Sequence, residues 1–106
     1  MENDHYYEVY RLLVSISRGK VTTYGAIAGK LGLNPRYVGT ILSENSHPEK
    51  YPCYKVVRSD GTIGGYTIGK RNDAGTSENK RRKLIRDGVL MNGSRVREDS
   101  IIRSLR

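Results

Sequence analysis

Between Val21 and Leu42 the chain carries start and stop signals for two short helices set almost end to end, and that spacing leaves few folds open. Val21-Thr22-Thr23-Tyr24 leads into Gly25-Ala26-Ile27-Ala28-Gly29-Lys30-Leu31-Gly32, where a threonine cap opens a helix and Gly32 can close it in a left-handed conformation. Asn34 is then a good cap and Pro35 suits the first position of a second helix reaching about Leu42, with Val38, Ile41 and Leu42 facing inward. Two short helices joined by a three- or four-residue turn containing glycine make a helix-turn-helix. Such a unit is either a structural corner or, with Arg36 opening its second helix in a basic protein, a DNA-binding element.

The remaining segments fit one domain over residues 1–106, with a single core that must be aliphatic because Trp and Phe are absent. The eight tyrosines need a partner or water for each hydroxyl they bury. From His5 to Ser17, Val9, Leu12, Leu13 and Ile16 fall on one helical face; Tyr6, Tyr7 and Tyr10 flank that stripe as packing residues. Residues 43–50 read as a loop. Val56-Val57-Arg58 and Thr62-Ile63-Gly64 flank a Ser59-Asp60-Gly61 turn as a hairpin, and Leu90-Met91 with Arg95-Val96 bracket Asn92-Gly93-Ser94 as a second. Residues 64–76 read as a flexible, glycine-rich basic loop, a surface linker or a cover over a ligand. Ser77 caps a basic helix through Arg86 that Gly88 closes, and Asp99 or Ser100 caps a last helical turn carrying Ile101, Ile102 and Leu105. The expected fold is mainly α with small β-hairpins, a winged-helix-like helix-turn-helix domain.

The net charge of +8 is lopsided: residues 1–53 carry six Lys/Arg against five Asp/Glu, residues 54–106 thirteen against six. The second half is a candidate to bind a polyanion, and nucleic acid is favoured over membrane because no apolar stripe with aromatic anchors accompanies the basic residues. The lone cysteine excludes an internal disulfide, and no apolar run of signal or membrane length opens the chain, so an intracellular, cytoplasmic or nucleoid-associated protein is expected. His5, His47 and Cys53 do not make a metal-ligand set, and no cofactor is expected.

That cysteine lies in Tyr51-Pro52-Cys53-Tyr54-Lys55-Val56-Val57, where proline stiffens the approach and an apolar, strand-like pair follows. A lone cysteine is either a small buried hydrophobe or a nucleophile presented at a defined angle. Asp87 ends the basic helix against the usual dipole preference; either it is simply solvated or it has a functional partner worth seeking.

Several of these segments, across roughly Val21 to Val89, together resemble the methylated-DNA-protein-cysteine methyltransferases, or O-6-alkylguanine-DNA alkyltransferases, and their non-catalytic relatives, the alkyltransferase-like proteins. Pro52-Cys53-Tyr54-Lys55-Val56-Val57 resembles the family's Pro-Cys-His-Arg-Val-Val signature, whose cysteine accepts the alkyl group irreversibly. Arg36-Tyr37-Val38-Gly39 resembles the segment whose arginine replaces the flipped base in the duplex. Tyr24 falls where a tyrosine rotates the lesion's phosphate, Asn45 matches a hinge asparagine, and the stretch Gly61 to Thr67 resembles the loop over the guanine pocket. The resemblance implies catalytic roles for Cys53, Tyr54, Asp87 and Asn45, with Tyr54 and Asp87 passing the thiol proton away from Cys53. It implies DNA or substrate contacts by Tyr24, Arg36, Tyr37, Gly39, Val56, Tyr66, Thr67, Lys70 and Arg71, while Lys80 and Arg81 are expected to add affinity for the DNA backbone. The implied partner is double-stranded DNA containing alkylated guanine, met by a monomer, with other repair proteins as further partners if the chain only marks lesions. Two residues depart from the pattern. Tyr54 stands for the family's histidine and Asp87 for the glutamate that orients it, and the chain opens near the family's catalytic domain, which implies a minimal version without the N-terminal domain.

Overall fold

The computed structural model describes residues 4–45, 47, 50–63, 67–68, 71–72 and 76–105, with backbone alone at 4, 67, 68, 71, 72, 76 and 77. Strand β1 (Val21–Thr23) runs into helix α2 (Tyr24–Leu31), a turn, and helix α3 (Pro35–Ser43). Local chemistry sets each boundary. Thr23 Oγ1 accepts the Ala26 N–H at 2.9 Å, and Asn34 Oδ1 accepts the Arg36 N–H at 2.8 Å. Gly32, at φ 71°, returns its N–H to the Ala28 carbonyl, which also accepts the Leu33 N–H at 2.9 Å, so the helix end is closed. Helix α1 (Asp4–Ser15) lies against this pair, and Val9, Leu13 and Ile16 form one core with Ile27, Ala28, Val38, Ile41, Leu42, Cys53 and Val56. Leu12, at the edge of the same stripe, is half-buried. Tyr6 and Tyr10 bury part of their rings and send their hydroxyls to Glu44 and the Ile41 carbonyl, at 2.7 and 3.0 Å. Tyr7 is exposed with Arg11 over its ring.

The sheet pairing departs from the sequence expectation. Val56–Val57 (β2) does not form the strand of a local hairpin; it pairs in parallel with β1, Thr22 opposite Val56 and Thr23 opposite Val57. On the other side of β1 lies β7 (Ile101–Ile102), also parallel, where a last helical turn was expected. Burial explains both corrections, because a parallel strand is covered on both faces. Val56 enters the α1–α3 core, whereas Val57 joins Val21, Ile63, Leu84, Val89 and Val96 in a second cluster beyond the sheet. The Ile101-Ile102 pair is β-branched and follows a single 3-10 turn at Glu98–Ser100. The turn at residues 59–61 does form, with the Arg58 N–H on the Thr62 carbonyl and Asp60 Oδ1 accepting from Thr62; Thr62 then bridges to Arg95.

Within the expected flexible loop lies a short antiparallel hairpin of β3 (Thr67–Ile68) and β4 (Arg71–Asn72). Helix α4 (Thr76–Arg86) begins one residue before Ser77, and β5 (Met91–Asn92) and β6 (Arg95–Val96) form the hairpin read around Gly93. No helix among the described residues is long and apolar enough to cross a membrane.

Candidate active site

Pro52 leads into a one-turn 3-10 helix, Cys53–Lys55, that carries the cysteine inward. The Cys53 N–H meets the Tyr51 carbonyl at 2.7 Å and the Lys55 N–H meets the Pro52 carbonyl at 3.0 Å, so the turn is closed on itself. Cys53 is 6% exposed, at the floor of the α1–α3 core. Asn45, two residues past α3 and wholly buried, donates from Nδ2 to the Tyr51 carbonyl at 2.7 Å and accepts the His47 N–H at 3.0 Å. It thereby fixes the chain entering the cysteine turn. Burial pushes the Cys53 thiol up from its ordinary value, while a hydrogen bond from Asn45 and the charges of Lys80 and Lys83 pull the other way. Tyr10 stacks on Tyr51 at 4.9 Å on the same side, and burial raises its hydroxyl to about 12.

Tyr24, first residue of α2, is half-buried and near enough that burial first and the thiolate second push its hydroxyl up. A β-carbon at Gly39 would sit 3.9 Å from Tyr24 Cε1, an ordinary contact, so space alone does not demand glycine there. Arg36 is exposed at the second position of α3, and Tyr37 beside it meets the His5 ring edge-on at 6.1 Å. Asn45 and Tyr24 thus lie close to Cys53, and Tyr24 in turn lies against α3 at Gly39. Val56 is different. Its side chain is wholly inside the core and its carbonyl accepts from Lys80 Nζ at 2.8 Å. Tyr66 and Lys70 lie outside the described residues, and of Thr67 and Arg71 only the hairpin backbone is described.

Tyr54 packs against both core clusters, and burial, then the charges of Asp87 and Cys53, raise its hydroxyl. Among the described residues, however, no hydrogen bond joins the Tyr54 hydroxyl to Asp87. Asp87 Oδ2 instead accepts the Gly19 N–H at 2.9 Å and pairs with Lys55 Nζ at 3.1 Å.

The basic run of α4 does not face one way. Lys80 is 1% exposed, and burial lowers its ammonium to about 8. That overturns its expected place on the DNA backbone, for which a solvated cation is needed. Arg82 is exposed beside Glu78, and Lys83 lies 5.8 Å from the centre of the Tyr54 ring. Helical spacing held the signal for this. Lys80 stands four residues before Leu84, so the two share an inward face. Lys55 was missed as well, although it is the one charge set between Tyr54 and the apolar Val56-Val57.

A family model described as 6-O-methylguanine DNA methyltransferase, DNA binding domain, matches residues 4–89. The chain is 42% identical over 95 residues to a bifunctional methyltransferase/endonuclease of Picrophilus torridus, covering 88% of this chain and 30% of that protein. It is 42% identical over 78 residues to a methylated-DNA–protein-cysteine methyltransferase of Pyrobaculum aerophilum, covering 74% and 48%. The chain thus spans between about a third and a half of the length of these curated relatives. Among solved structures, S. pombe Atl1 in complex with damaged DNA containing O6-carboxymethylguanine superposes with a TM-score of 0.68 at 31% identity, covering 91% of this chain and 89% of that one. The O6-methylguanine-DNA methyltransferase of Pyrococcus kodakaraensis gives 0.68 at 35% identity, covering 82% and 47%. With the capped helix pair and the Pro-Cys turn in the same chain, these matches place the protein in the 6-O-methylguanine DNA methyltransferase DNA-binding domain family, whose solved members include both alkyltransferases and an alkyltransferase-like protein.

Proposed function

We propose that the protein binds duplex DNA containing alkylated guanine, extrudes the lesion and takes the alkyl group onto Cys53. The observation that carries this reading is a cysteine held by a closed Pro-Cys turn and Asn45, close to Tyr24, which lies against α3. A guanine alkylated on its exocyclic oxygen is stacked in the duplex, so a protein thiol reaches the alkyl carbon only after the base is turned out, at a cost of a few kcal/mol. Arg36, exposed at the start of α3, fills the vacated stack, and Tyr24 presses on the lesion's phosphate. In the transfer step a new sulfur–carbon bond forms as the carbon–oxygen bond breaks. Guanine leaves with the electron pair and is protonated, and the thiol proton passes to water. No group regenerates the thioether, so each molecule reacts once.

A second reading, recognition without transfer, is favoured by two observations. The likeness to Atl1 extends over nine-tenths of both chains, and burial holds the Cys53 thiol up while Tyr54 supplies no base at neutral pH. In that reading the bound lesion is handed to other repair proteins. Intact mass and peptide mapping after incubation with a duplex containing O6-methylguanine separate the two. Transfer adds one methyl group to the Cys53 peptide and none in Cys53→Ala, whereas tight binding without a mass change establishes the recognition module.

A further inference from the structure

Lys55 is a buried cation to which the transfer chemistry assigns no part, two residues from the cysteine in the same 3-10 turn. Its side chain is 4% exposed, and Nζ lies 2.8 Å from the Ser17 carbonyl, 3.2 Å from the Ile16 carbonyl and 3.1 Å from Asp87 Oδ2. An ammonium has three N–H donors, and here three acceptors meet it. Two of them are carbonyls just past the C-terminal end of α1, where the dipole is negative; that of Ser17 also accepts the Lys20 N–H at 3.1 Å. The third is the carboxylate that ends α4 and also holds the Gly19 N–H. Arg18 donates to the Arg86 and Asp87 carbonyls across the same junction, at 3.4 and 3.3 Å. The ends of α1 and α4 are thus stitched together, and Lys55 bolts the cysteine turn to the seam.

We infer that Lys55 is a positioning residue for Cys53 and that Asp87 serves it as a counter-ion, so that Asp87 acts on the thiol through the placement of the turn and is not the terminus of a proton chain from Tyr54. The inference rests on Cys53 being the reacting atom. Two facts support it beyond the ion pair. The Tyr54 hydroxyl makes no hydrogen bond to Asp87 among the described residues, and an acidic residue at the end of α4, unfavourable to the helix itself, is accounted for by the Lys55 ammonium beside it. The Lys55 backbone is also fixed, through its N–H on Pro52, so a shift of its side chain is transmitted along the turn to Cys53. In-line displacement tolerates little such shift, and an ångström of misplacement costs up to about a hundredfold in rate.

The test compares Lys55→Met, Lys55→Arg and Asp87→Asn with the parent, by single-turnover methyl transfer from a duplex containing O6-methylguanine and by amide hydrogen exchange of residues 53–55. Lys55→Met and Asp87→Asn are expected to slow the first-order transfer step by similar factors, on the order of tenfold to a hundredfold. The duplex Kd and the shape of the pH profile stay unchanged, and the Lys55 amide exchanges faster. Lys55→Arg, which keeps the charge and can reach the same acceptors, restores most of the rate. A flattened pH profile in Asp87→Asn, with Lys55→Met reacting like the parent, would overturn the inference in favour of a proton chain. If Lys55→Met does not fold, the other two variants decide. If the parent transfers no methyl group, the transfer reading falls by itself, and unchanged protection of residues 53–55 in Asp87→Asn then sinks the clamp.

Discussion

Exchanging Lys80 for methionine keeps the length and apolar stem of the side chain and removes only the charged head. Burial lowers the Lys80 ammonium from 10.5 to about 8, and at 1.36 kcal/mol per unit this is a penalty of about 3 kcal/mol on the folded state at pH 7. Its sign with pH is fixed. The folded pKa lies below the unfolded one, so between about 8 and 10.5 the unfolded chain holds more protons and stability rises with pH; the penalty is complete below 8, and about 2 kcal/mol of it is lifted by pH 9.5. The raised Cys53 thiol and tyrosine hydroxyls slope the other way, losing stability as pH rises; the Lys80 charge pulls the thiol down, so its removal deepens that loss in the variant and adds to the parent's gain. Methionine leaves the Val56 carbonyl without the Lys80 donor, at about 1–3 kcal/mol, which roughly offsets the relieved penalty at pH 7 and lets the variant fold. Guanidinium titrations followed by circular dichroism at pH 7, 8.5 and 9.5 read the difference in unfolding free energy. The parent is expected to gain about 2 kcal/mol on Lys80→Met from pH 7 to 9.5. A difference that stays constant over that range would mean that the ammonium is hydrated in the folded protein, and Lys80 would return to the candidate DNA surface.

Two further outcomes concern the DNA. Arg36→Ala should weaken lesion binding by about 1–3 kcal/mol, while Arg82→Gln lowers affinity for all duplexes alike and reduces the slope of log K against log salt by up to about 0.9; fluorescence anisotropy from 50 to 200 mM salt separates the two, and a full phosphate-type slope change in Lys80→Met would contradict its burial. The thiol pushed up by burial predicts single-turnover transfer that climbs with pH as thiolate forms and is still climbing above the ordinary thiol range of about 8.5, and Tyr54→His should flatten that climb by supplying a base near neutrality. A flat profile in the parent would show that Cys53 is already ionised.

Local signals were legible from the residues because their physics is local. A threonine and an asparagine bond the N–H groups two or three residues on, glycine takes positive φ, and a 3.6-residue period marks the core face of α1. Those rules placed α1, α2, α3 and the body of α4, and the joint spacing of Tyr24, Arg36, Asn45 and Cys53 pointed to the family that the comparisons then showed. The glycine-rich stretch read as loop because two-residue strands such as Thr67–Ile68 and Arg71–Asn72 leave too few residues for alternation to register.

What the sequence determined, then, is the set of elements whose partners lie within a turn or two of themselves, together with the cysteine and the residue types around it. Only the tertiary structure decided the rest. Val56–Val57 and Ile101–Ile102 pair with β1 from 34 and 80 residues away along the chain, a choice made by covering both faces of the sheet that no local rule expresses. Lys80 read as a cation for the DNA backbone and Lys55 carried no assigned role until the carbonyls of Ile16, Ser17 and Val56 closed around them. Asp87 looked misplaced at a helix end until α1 brought Gly19 beside it and the cysteine turn brought Lys55. A side chain's charge is written in its residue type, but its burial, its partners and hence its pKa belong to segments distant in sequence, so they are fixed only when the chain has folded.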